Sequence, residues 1–151
     1  MSPRTILLVS LLAAAACAPP EPAPEPAVTE PVSPPDGGLV PSLTTTVEGD
    51  TVRFELHVTN MTDDTLRLEF PSSQRFDFEV RGAGGESAWS WSAARSFAQV
   101  LGVEAVAPGE TVTYRAGWGA GERRGAHTVV GRLTSTNQPI ELRSGFELPG
   151  G

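Results

Sequence analysis

The chain has 151 residues, enough for one domain, with 39% hydrophobic residues and a formal net charge of −7. Its basic residues are all arginines, and an acidic chain with scattered arginines argues against nucleic acid and against charge-driven binding to anionic lipid. A single cysteine excludes an internal disulfide and a cysteine-based metal cluster, so the fold must rest on its own core.

Residues 1–16 read as a secretory signal peptide. Met1-Ser2-Pro3-Arg4 is a short start with one positive charge, and Ile6 to Leu12 opens an apolar stretch that ends in small alanines. The run falls short of the roughly 20 apolar residues of a membrane-spanning helix. Cys17 follows at once, and two readings are open. In one, Ala14-Ala15-Ala16 is an ordinary cleavage site and Cys17 is a bystander. In the other, Ala14-Ala15-Ala16-Cys17 resembles the lipobox of bacterial lipoproteins, which implies lipidation of the Cys17 sulfur. Two or more acyl chains there would give a stable membrane anchor. The chain is then expected to be exported and lipid-anchored to the cell envelope, in the outer membrane where one exists.

Residues 17–38 form the expected tether. From Ala18 to Gly38 there are eight prolines and four acids but almost no large apolar side chain, too little to offset the entropy of ordering. A proline-biased, disordered spacer of this length would reach on the order of 60 Å.

Residues 39–149 form the expected domain, whose segments alternate with a period of two. Val52, Phe54, Leu56 and Val58 face one way, and Asn60 to Asp64 make a turn. Leu66, Leu68 and Phe70 follow up to Pro71, then Phe76, Phe78 and Val80. Gly82 to Gly85 suit a hairpin connection, Trp89 and Trp91 share a face, and Phe97 to Leu101 read as a short strand. Ala107-Pro108-Gly109-Glu110 suits a type II turn. Val112, Tyr114, Ala116 and Trp118 share the next face, followed by His127 to Leu133 and Ile140 to Leu148. Eight or nine strands without a helix predict an all-β fold, an immunoglobulin-like antiparallel β-sandwich, with a small barrel as the alternative. Phe54, Phe70, Phe76, Phe78, Trp89, Trp91, Tyr114 and Trp118 are the expected aromatic core.

The order of these signals resembles the BsuPI-type intracellular proteinase inhibitor domain. The resemblance rests on Val58-Thr59-Asn60, Leu68-Glu69-Phe70-Pro71-Ser72-Ser73-Gln74 and Arg75-Phe76-Asp77-Phe78-Glu79-Val80. Trp89-Ser90-Trp91-Ser92, Phe97, Pro108-Gly109-Glu110-Thr111 and Trp118 continue it, over about residues 45 to 135. It implies a non-enzymatic protein that binds a protein partner, a protease above all. With an export signal, that partner would lie outside the cytoplasm. An envelope interaction or assembly module without inhibitory activity is the rival reading.

The residues themselves offer little chemistry for catalysis. His57 is expected outward and His127 inward, and Ser92 has no glycine-framed elbow, so no catalytic residue is assigned. The two histidines and Met61 have no metal-ligand spacing, and Asp63-Asp64 suit a turn; no metal, cofactor or small-molecule substrate is expected. Trp89, Trp91 and Trp118 fit either the core or a binding groove, and Arg123-Arg124 could meet an acidic partner. The candidate partner-binding residues are Trp89, Trp91, Ser92, Arg95, Trp118, Arg123 and Arg124. The candidate inhibitory loops are Gly82 to Glu86, Ser92 to Ser96 and Gly119 to Gly125.

Overall fold

A computed structural model describes residues 38–150; the signal segment 1–16, Cys17 and the linker through residue 37 lie outside the described residues. Within them the chain is all strand and loop. The first five strands are β1 (Leu39–Glu48), β2 (Thr51–Asn60), β3 (Leu66–Phe70), β4 (Phe76–Gly82) and β5 (Ser87–Ser90). The last four are β6 (Gly102–Val106), β7 (Thr111–Gly119), β8 (Gly125–Leu133) and β9 (Ile140–Leu148).

Every pairing is antiparallel. One sheet has the order β1-β2-β7, a second β5-β4-β8-β9, and β3 pairs with β6 alone. The alternation read from sequence fixes which side chains turn inward: Val52, Phe54, Leu56 and Val58 are all buried on β2. Phe54 meets Phe78 of the other sheet with ring centroids 5.7 Å apart, and Leu68, Phe70 and Val106 join the same core from the β3–β6 pair. This is a sandwich-like arrangement of antiparallel sheets. Pro41, which lacks an N–H, is tolerated because β1 lies at the edge of its sheet.

Two expectations need correction. Residues 39–48, where no separate strand was read, form ten-residue β1, paired along its length with β2. Residues 97–101 are not a strand; the strand begins at Gly102. The reason lies in the partners. Phe70 at the end of β3 pairs with Gly102, whereas the Ala98 amide and carbonyl are bonded by Ser73 in the preceding connection. The Pro108-Gly109 turn is as read: Gly109 has φ of 72° and the Glu110 amide donates to the Ala107 carbonyl at 3.0 Å.

Candidate functional site

The long connection between β5 and β6, residues 91–101, is held at its start and at Ala98 and is exposed from Gln99 to Leu101. At its start the Trp91 amide donates to the Phe78 carbonyl at 2.8 Å. The next residue is tied more firmly. The Ser92 amide and hydroxyl both donate to the Asp77 carboxylate, at 3.1 and 2.8 Å. The Trp91 ring lies 4.2 Å from Phe76, which in turn contacts the buried Phe78. Phe97 covers Trp91 from the loop side, and the Arg95 guanidinium lies 4.3 Å over the indole, a cation–π contact. A chain of rings thus runs from the core into the loop.

The far side of the loop rests on the segment Pro71 to Arg75, between β3 and β4. Ser73 donates its amide to the Ala98 carbonyl and accepts the Ala98 amide on its hydroxyl, both at 2.9 Å. Arg75 lies over Phe70, donates to the Ser72 carbonyl at 2.7 Å, and forms an ion pair with Glu104 at 2.7 Å. The other Glu104 oxygen accepts the Tyr114 hydroxyl at 3.0 Å. Burial, and next the Glu104 charge, push the Tyr114 ionisation far above the usual phenol range, so its O–H stays a donor. Between the Ser73 clamp and the β6 ladder the chain presents Gln99, Val100 and Leu101 to solvent. Val100 is 57% exposed and Leu101 88% exposed.

The residues singled out from sequence divide into two groups. Trp91, Ser92 and Arg95 come together at the foot of this loop. Trp118 is 4% exposed, packed against His127 and Phe146, and has no face free for a partner. Trp89 is half-buried against Phe54 and Trp118. Arg123 lies over Trp118, and its guanidinium and that of Arg124 donate to carbonyls of their own loop. The connection at Gly82 to Glu86 is a tight turn closed by the Gly82 amide on the Glu86 carbonyl at 3.0 Å, with no large apolar side chain.

Ser92 has carboxylate and hydroxyl partners but no histidine, and the two histidines are engaged elsewhere. His57 meets Thr113 and Glu55 on β7 and β2; the Nδ1 of His127 donates to the Gly125 carbonyl at 2.9 Å. Among the described residues no group of three His, Cys, Asp or Glu side chains is arranged to hold a metal ion. Sequence reasoning missed Ser73, Asp77, Arg75, Glu104, Val100 and Leu101. One signal was present: Phe97-Ala98-Gln99-Val100-Leu101 does not alternate as a half-buried strand should.

The sandwich-like arrangement of antiparallel sheets thus braces one loop with exposed apolar residues from two sides. The comparison of families agrees with the motif order. The chain belongs to the BsuPI family, described as intracellular proteinase inhibitor, whose family model matches residues 39–138. No curated protein matches the chain.

Among solved structures, the chain is similar to a penta-heme cytochrome c552 from Thermochromatium tepidum, with 12% identity, a TM-score of 0.47 and 74% of this chain covered. It spans about two-fifths of that protein, 40% of its length. It is also similar to the putative ApaA protein from Bordetella pertussis, with 20% identity, a TM-score of 0.41, and 78% of this chain and 96% of that one covered. These similarities concern backbone shape alone.

Proposed function

We propose that this chain is a non-enzymatic, lipid-anchored protease inhibitor of the bacterial envelope, acting through the β5–β6 loop. Residues 1–16 serve as the signal, 17–38 as lipidated cysteine and spacer, and 39–149 as an immunoglobulin-like sandwich that carries the loop. The observation that supports this most is the bracing of residues 92–98, which leaves an exposed apolar tip at Val100 and Leu101. A protease cleft binds substrate as an extended strand, and an inhibitor competes when its loop is already ordered in that shape, because less entropy is lost on binding. Several of the braces are the same residues that carry the family resemblance: Ser73, Arg75, Phe76, Trp91 and Phe97.

The export signal sets the location. The family description names an intracellular inhibitor, whereas a chain anchored through Cys17 would meet extracytoplasmic proteases, either the cell's own or a competitor's. Titration of the full chain, purified in mild detergent, against subtilisin, chymotrypsin, elastase and trypsin tests the inhibitory role. Inhibition at sub-micromolar concentration is expected, and none at micromolar concentration sinks it, leaving the interaction-module reading. Labelling of growing cells with radioactive palmitate tests the anchor: label should enter the wild-type chain and be absent from Cys17→Ser.

A further inference from the structure

We propose that a pocket at the end of the sandwich away from the start of β1 binds a carboxylate carried beside a small apolar group, through Arg123 and Arg124. This site is separate from the β5–β6 loop and does not depend on inhibition.

The sheets bring three chain segments together there. The turn between β1 and β2 supplies Gly49 and Asp50, and the connection between β7 and β8 supplies Ala120, Arg123 and Arg124. The Ala120 amide donates to the Asp50 carbonyl at 2.7 Å, which ties these two segments. Leu148, at the end of β9, pairs with Gly125 and adds the third side. The floor is apolar, because Ala120 and Leu148 are both buried.

Two features mark the pocket as an anion site. The first is that both guanidiniums are anchored. Arg123 lies over Trp118 and donates through Nη1 to the Ala120 carbonyl at 3.3 Å. Arg124 donates through Nη1 to the Gly121 and Arg123 carbonyls, at 2.9 and 2.6 Å. The Nε and Nη2 atoms of both have no hydrogen-bond partner among the described residues. The second feature is charge. Neither arginine is ion-paired with a described carboxylate, whereas Arg53, Arg75, Arg81, Arg115, Arg132 and Arg143 all are. Arg67 and Arg95 are unpaired too, but singly, on β3 and in the β5–β6 loop.

A guanidinium with its Nε–Nη2 edge open offers two parallel donors, the geometry that grips a carboxylate or phosphate. The charge balance favours the carboxylate. Asp50 lines the same pocket, so the two arginines leave one positive charge in excess, which suits a monoanion better than a dianion. Glu122 is exposed and does not line the pocket. Size points the same way. The volume of about 230 Å³ is below the roughly 300–1,000 Å³ of sites for drug-sized ligands, so the room is for a group about as large as one residue. The C-terminal residue of a peptide and a small branched acid share this chemistry.

The test titrates four probes into the full chain in mild detergent: N-acetyl-Ala-Ala-Val, its C-terminal amide, isovalerate and inorganic phosphate. Backbone amide shifts of residues 49, 50 and 120–124 are followed by NMR. The two carboxylates should move these amides, and the peptide amide and phosphate should not. Whichever carboxylate binds tighter tells whether the ligand is a chain end or a small acid. Arg123→Gln and Arg124→Gln should each weaken binding roughly 10-fold or more, with thermal unfolding close to wild type. Asp50→Asn should tighten binding, a gain that a damaged fold would not give. No response to either carboxylate at millimolar concentration overturns the proposal. So does an equal response to the peptide amide or to phosphate, or binding that survives both arginine substitutions within twofold. A chain lengthened beyond Gly151 by a neutral tail should bind as wild type does. Binding that appears only in the lengthened chain would show that the chain's own terminal carboxylate fills the pocket, and would overturn the proposal of an external ligand.

Discussion

Replacing Asn60 by alanine would remove four side-chain hydrogen bonds from the interior of the sandwich. Asn60 is fully buried, and its Nδ2 donates to the Asp64 carbonyl at 2.7 Å and the Val106 carbonyl at 2.8 Å. Its Oδ1 accepts from the Thr62 amide at 2.9 Å and the Thr62 hydroxyl at 2.7 Å. The consequences differ by partner. Thr62 and Asp64 keep a bond to each other, from the Thr62 hydroxyl to the Asp64 carbonyl at 3.0 Å, in an exposed turn where water can replace the rest. The Val106 carbonyl is buried and has no such substitute. Leaving it unpaired costs about 1–3 kcal/mol, and the lost amide bond and small void add about 1–2 kcal/mol. The expected total is about 3 kcal/mol, or roughly 10 °C in melting temperature for a domain of this size.

Urea titration followed by tryptophan fluorescence measures this, with an unchanged slope showing that the unfolded state is the same. Asn60→Asp supplies a second, sharper readout. Its carboxylate can still accept from Thr62 but faces two carbonyls where donors stood, so folding favours the protonated form and raises its pKa above the unfolded value of about 3.9. The deficit relative to wild type should therefore grow as pH rises through that range and shrink as pH falls below it. A cost under about 1 kcal/mol for Asn60→Ala, with a pH-independent deficit for Asn60→Asp, would refute the assignment of Asn60 as the internal tie between β2 and β6.

Three further outcomes are expected. On the outer face of the four-stranded sheet, Arg81 and then Arg132 hold the Glu79 carboxyl below its ordinary range, and Arg143 and Arg132 do the same for Glu141. Their stabilisation is full above the unfolded value near 4.5 and lost as pH falls through the lower folded values. Glu79→Gln should thus cost about 1 kcal/mol at pH 7 and progressively less as pH falls below that range in paired urea titrations, with the difference shrinking in high salt. At Gly131, where an added Cβ would lie 3.2 Å from both Leu43 and Phe78, valine should overpack the sheets by about 1–3 kcal/mol, read as a lower melting temperature. Gly102→Ala would place a methyl against the Arg75 guanidinium and push it off Glu104; faster amide hydrogen exchange at Val103 and Glu104, with little change in global stability, is the expected sign.

Much of the fold was legible because alternation is a local property. The inward rows on β2, β3, β4 and β7 are those read from the chain, since a strand with one buried face must place its apolar side chains every second residue. The connection at Ala107 to Glu110 was legible for the same reason, because the required positive φ at Gly109 belongs to one residue. The loop was not. Phe97 to Leu101 contains enough apolar residues to pass for a strand, and only the bonds from Ser73, twenty-five residues away in sequence, stop Ala98 from pairing in a ladder.

By itself the sequence determined an all-β chain, its inward faces and its membership of an inhibitor family, because periodicity and ordered motifs are carried by neighbouring residues. Tertiary structure alone decided which aromatics are core and which brace a surface. Trp118 and Trp91 both belong to apolar rows, but Trp118 is enclosed by β8 and β9, while Trp91 stands where β5 ends and supports the loop. Exposure depends on what covers a residue from elsewhere in the chain. For Leu101 nothing among the described residues does.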